Sequence, residues 1–180
     1  MIFFLIIFIW GFSEAVWFFI IPDVILSLYA LRSRTLQRVF TANIICLSGA
    51  LLGGAFIYIF SSLNGDTVRS LMLYIPAVHG YMFDSINENM ASNTFNALIT
   101  GPLFGLPYKL FASEAPEYTN IFMFLLFSIP ARLIRFLLVS LTAFFLSRVV
   151  FKNLSMKLKI GIWSLVWIVV YIIYFSIHSF

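Results

Sequence analysis

"GFSEAVWFFIIPDVILSLYALRSR", residues 11–34, sets Glu14, Asp23 and a proline inside an otherwise apolar run. A carboxylate at the depth of a bilayer core costs roughly 2.5–3.5 kcal/mol on insertion scales, so such groups are paired or functional. Glu14 and Asp23 therefore call for partners elsewhere in the chain. Pro22 offers no N–H and its ring clashes one turn back, while Gly11 weakens the helix before it. Residues 3–31 thus read either as two short helical arms folded into a hairpin or as one kinked helix.

Composition sets the solvent. Of 180 residues, 62% are hydrophobic and 10% charged, and the mean hydropathy is +1.04. A soluble domain carries roughly 25% charged residues, so this chain belongs in lipid. The net charge of +4 reads through the positive-inside rule, with no nucleic-acid partner: no basic stripe interleaved with aromatics, zinc finger or glycine-rich phosphate loop is present. The lone Cys46 allows no disulfide framework and reads as a small buried or lipid-facing residue. The opening "MIFFLIIFIW" lacks the basic and small-residue flanks of a signal peptide and is taken as mature sequence.

Working outward, residues 32–38 hold three arginines and read as a cytoplasmic turn. Residues 39–63 form a spanning helix with a small-residue face of Gly49, Ala50, Gly53 and Gly54, suited to close packing. Residues 71–94 are the least membrane-like and read as an amphipathic helix at the surface or plugging a cavity. Residues 95–115 repeat the opening pattern: two apolar halves broken by Gly101, Pro102, Gly105 and Pro107, each too short to span, predict a second hairpin. Spanning helices follow at 119–147 and 160–177, joined by a basic, cytoplasmic segment. The charge bias orients 39–63 outward and 119–147 inward. The fold predicted is an all-α polytopic membrane domain, an inverted repeat of re-entrant hairpin plus transmembrane helix. Six plain spanning helices are the alternative.

Besides Glu14 and Asp23, the membrane-depth charges are Lys109, Arg132 and Arg135. The two arginines lie three apart and point from one helix face. Pro130 frees a backbone carbonyl beside them. An arginine fork suits a phosphate held at two points. A carboxylate sharing its cavity can exchange protons or salt-bridge partners. The plainer account is that the charges snorkel or tie hairpins to helices. His79, Asp84 and Glu88 supply no converging metal-ligand set, and Ser13 has no histidine base near it in sequence, so neither a metal, another cofactor nor an enzyme is predicted. Trp163, Trp167 and Tyr171, at steps of four, read as helix or lipid contacts.

The Glu14…Pro22-Asp23 spacing, "SGALLGG", and "TGPLFGLPYKLF" followed by "FSIPARLIRFLLV" together resemble the DedA family, also called the VTT or SNARE-associated Golgi protein family, in its short bacterial branch. The resemblance covers about residues 11–148. It implies two re-entrant hairpins against spanning helices, a multi-pass inner-membrane location, and movement of a phosphate-containing lipid between leaflets as a carrier, flippase or scramblase. The family's hairpin acids match Glu14 and Asp23, and its arginines match Arg132 and Arg135. Lys109, Pro22, Pro107 and Pro130 are supporting positions. The implied partners are membrane lipids with an anionic headgroup and, as a further candidate, a second copy of the chain. The alternative is a non-transporting scaffold or envelope-integrity protein whose buried charges are structural.

Overall fold

The computed structural model describes residues 2–177. Seven α-helices follow one another: α1 Ile2–Val16, α2 Pro22–Arg32, α3 Leu36–Met72, α4 Gly80–Thr100, α5 Tyr108–Glu114, α6 Ile121–Arg148 and α7 Met156–Ile177, with short 3₁₀ turns before and after α5. Three of them, α3, α6 and α7, are long and apolar enough to cross a membrane. The chain is an all-helical, multi-pass membrane protein.

The opening run breaks as its proline dictates. α1 ends where the Trp17 and Phe18 amides both donate to Ser13 O. Pro22 then starts α2 at the position where a missing N–H is harmless. The two arms fold back on each other: the Trp10 indole donates to Ile20 O at 3.1 Å, and Tyr29 meets the rings of Phe3 and Phe4 at 5.2 and 5.6 Å.

The glycine face of α3 seats α1. A Cβ at Gly49 would land on the Phe8 carbonyl, and one at Gly53 would lie 2.6 Å from Phe12 O. On the other side Gly11 makes room for the Cys46 carbonyl. Backbone therefore lies against backbone, the approach that small residues permit.

α3 continues past residue 63 to Met72, bending at Asn64, where the backbone leaves helical geometry. The polar run beyond that bend extends the helix out of the apolar zone. Within residues 71–94, α4 buries Met82, Phe83, Ile86 and Met90, an apolar stripe at helical spacing. α4 bends in turn at Asn93, and its last turns form the first arm of the second broken segment. Gly105, at φ 89°, turns the chain in a conformation that side chains resist. Pro107 caps α5, every residue of which is buried.

Packing crosses over. α1 lies on α3 and α2 on α6, whereas α4 lies on α6 and α5 on α3. α7 stands apart, burying only Lys159 along its length. What holds it is a row of contacts at steps of four. Lys159 Nζ donates to Ser147 O at 2.7 Å. The Trp163 and Trp167 indoles both donate to Ser27 Oγ, at 2.9 and 3.1 Å. The Tyr171 hydroxyl accepts from the Ile21 amide at 3.0 Å, and Phe175 meets Phe19. Ser27→Ala strands two indole donors at once and is expected to weaken α7 docking by about 1–2 kcal/mol. Tryptophan fluorescence should report the release of α7 while the main unfolding transition stays in place. An unchanged spectrum would remove Ser27 from its role as the clasp.

Candidate functional site

The buried charges assemble between the first hairpin and α6. α6 carries Pro130 without interruption and presents Arg132 and Arg135 one turn apart. Arg132 takes Glu14 of α1 in a direct charged hydrogen bond. Arg135 Nη2 lies 2.8 Å from Asp23 Oδ2 of α2. Each arm of the hairpin thus pairs with its own arginine.

The two pairs differ in their surroundings. Glu14 and Arg132 are sealed, with side chains 4% and 2% exposed. The Arg132 guanidinium lies between two rings, 4.3 Å from the Tyr108 centroid and 4.9 Å from Phe136. Those π faces attract the cation where water cannot reach it. Tyr108 is itself fixed: its hydroxyl bonds Ser128 Oγ at 3.0 Å, and it fits only because Gly54 has no side chain to collide with it. Asp23 is also sealed, at 2%, but Arg135 is 15% exposed. Asp23 Oδ1 and Arg135 Nε have no hydrogen-bond partner among the described residues. Arg132 likewise keeps Nε and Nη1 unpaired.

Lys109 enters from the second hairpin. It is buried, and its ammonium donates to Phe18 O at 2.6 Å, joining the tips of the two broken segments. Beside it lies a cavity of about 180 Å³ walled by Glu14, Lys109, Arg135, Tyr171, Tyr174 and the Pro102–Pro107 turn. Arg132 and Asp23 do not line it. Pro107 borders the cavity directly and Pro22 starts α2, whereas Pro130 lies inside the uninterrupted α6, away from the cavity lining. A larger groove, about 870 Å³, lies elsewhere, between α2 and α7, and is lined by Ile20, Val24, Trp163, Trp167, Ile168 and neighbouring apolar residues. Tyr171 belongs to both walls.

The structure therefore brings Glu14, Asp23, Lys109, Arg132 and Arg135 into one cluster. It adds Tyr108 and Tyr171, which sequence reasoning did not single out for the site. The signal for Tyr108 was its place before Lys109 in the proline-broken turn. His79, Asp84 and Glu88 do not form a group that could hold a metal among the described residues. Chemically the site offers two cations and one carboxylate to a small cavity, with a second carboxylate behind.

Compared with family models, with curated proteins and with solved structures, the chain matches none of them.

Proposed function

We propose that the chain is a lipid carrier that moves a phosphate-bearing headgroup between leaflets through this charged cavity. The observation that carries the reading is that Arg135 and Lys109 face one partly open cavity in a chain otherwise built for lipid. At about 180 Å³ it is smaller than the ~300–1,000 Å³ of pockets for drug-sized ligands. It suits a headgroup, with acyl chains left in the apolar groove beyond Tyr171. On entry the phosphate takes Arg135, whose partner Asp23 is released to take up a proton. Glu14 and Arg132 stay paired and hold α1 on α6. The crossed packing of the two broken segments supports an inverted repeat. The first arm of each segment lies on the long helix that follows it and the second arm on the other long helix. Such a plan places a binding site where the repeats meet. The resemblance in residues 11–148 points the same way, to a DedA-like protein of the bacterial inner membrane.

Transbilayer movement of a fluorescent lipid phosphate or phospholipid in liposomes carrying the purified chain tests this. Rates should exceed those of protein-free liposomes. Arg135→Gln should lower them about tenfold or more by removing one charged contact. Ile134→Ala, exposed on the same helix, should leave them unchanged. Wild-type rates no higher than protein-free controls across anionic and zwitterionic lipids would end the carrier reading. The sealed Glu14–Arg132 pair favours one second reading, a scaffold whose charges only join its helices. That reading requires Arg135→Gln to lower stability without touching any lipid movement.

A further inference from the structure

At the turn between α2 and α3 several backbone carbonyls are occupied, while the arginine side chains are open. Tyr29 O accepts from Ser33 Oγ at 2.8 Å, and Ala30 O from the Ser33 amide at 3.1 Å. Leu31 O accepts from Ser147 Oγ at 3.0 Å, and Ser33 O from Arg148 Nη2 at 2.5 Å. The carbonyls of Tyr29, Ala30 and Leu31 at the end of α2, and that of Ser33 after it, are thus answered from within the protein. Against them, Arg32, Arg34 and Arg38 are all exposed, and none joins an ion pair among the described residues. With Phe3, Tyr29 and Ser33 they line a cavity of about 320 Å³. Thr35, which caps α3, makes no side-chain bond to the helix, so first-turn amides of a long helix face the same turn and add positive potential.

Charge along the chain sharpens this. No Asp or Glu occurs between Asp23 and Asp66, or after Glu117. The turn and the α6–α7 connection, which Arg148 joins to it, therefore hold basic residues without acidic ones. Arg69 at the far end of α3, by contrast, meets Asp84 at 3.4 Å and Glu114 at 3.9 Å. The turn is also distinct from the central cluster: Arg148 lies thirteen residues beyond Arg135 on α6, roughly 20 Å at 1.5 Å per residue.

We propose that the Arg32/Arg34/Arg38 cavity is a second anion site, which takes a phosphate group at the basic end of the protein. Three guanidinium forks exceed what the two oxygens of a carboxylate can satisfy, whereas a phosphate presents more oxygens in the geometry the fork matches. The source is a membrane lipid headgroup or a soluble phosphate. Exposed Leu36 and Phe40 next to the turn give the lipid's chains an apolar surface.

The full chain is reconstituted in phosphatidylcholine nanodiscs containing a minority of phosphatidylglycerol, then released into detergent and weighed by native mass spectrometry. The wild type is expected to retain phosphatidylglycerol. Arg32→Gln/Arg34→Gln/Arg38→Gln should reduce occupancy about tenfold, while Lys152→Gln/Lys157→Gln, at the same end but off the cavity, should not. Equal loss in both variants would mean diffuse charge attraction and overturn the site. Where the glutamine variant inserts poorly, Arg32→Lys/Arg34→Lys/Arg38→Lys keeps the topology-setting charge and removes the forks. It should retain clearly less lipid than wild type, and full retention would overturn the proposal. A parallel arm adds millimolar inorganic phosphate. Loss of bound lipid assigns the site to soluble phosphate, and persistence assigns it to the headgroup. If lipid is not retained and phosphate does not shift the melting temperature of the wild type relative to the glutamine variant, no site exists. None of these readouts depends on lipid movement, so the site and the carrier reading stand or fall separately.

Discussion

Arg132→Met is expected to destabilise the purified protein by about 3–5 kcal/mol, the usual consequence of breaking a buried pair from one side. The substitution leaves Glu14 sealed with its charge and removes the cation lying between Tyr108 and Phe136. Glu14→Leu/Arg132→Met should recover most of the loss, because the desolvation penalty disappears with both charges. Denaturant unfolding in detergent, run on both variants and on Glu14→Leu alone, gives the coupling energy directly. A double variant as unstable as the sum of the singles would show that the two groups do not act as a pair. The same series on Asp23 and Arg135 should give a smaller coupling, since Arg135 is partly open to the cavity.

The second large effect is steric. Gly49→Val is expected to cost about 3 kcal/mol, the top of the range for overpacking. Its Cβ would meet the Phe8 carbonyl and crowd the Phe12 amide, both backbone atoms of α1 that have no rotamer by which to move aside. α1 must shift, and Glu14 shifts with it away from Arg132. Gly161→Val is the matched control, because nothing lies within 4 Å of a Cβ there. Detergent size exclusion and thermal unfolding should show a broadened, less stable Gly49→Val protein beside an unaffected Gly161→Val. Equal behaviour would mean that α1 is not seated on the glycine face.

Much of this was open to reading from residues alone. Pro22 marks the break between α1 and α2, and the glycines of α3 announce a close neighbour. The spacing of Arg132 and Arg135 gives a shared face. Which acid meets which arginine was not legible, because it depends on how α1 and α2 seat on α6, a contact between positions more than a hundred residues apart. The same holds for Gly54, whose small size serves Tyr108 from a distant turn. The extension of α3 past Asn64 was missed because polar residues there resemble a loop, although nothing in them forbids a helix. The stripe of α7 was visible at Trp163, Trp167 and Tyr171. Its meaning depended on Ser27, a hydroxyl with no sequence signal of its own.

α5 has a consequence for how the protein is made. It is seven residues long and every one is buried, against α3, α4 and α6. Isolated helices shorter than about 12–15 residues are marginal in water, so α5 has little stability of its own. Its Tyr108 needs Ser128 of α6, yet synthesis runs from the N-terminus and delivers α5 first. The Tyr108–Ser128 bond and the stacking of Arg132 on Tyr108 therefore form only after α6 has been translated. The central cavity, which Arg135 of α6 lines, is thus among the last features to exist, and a ribosome stalled between α5 and α6 would hold a chain in which α1 can seat on α3 but α2 lacks its main partner and the site is missing.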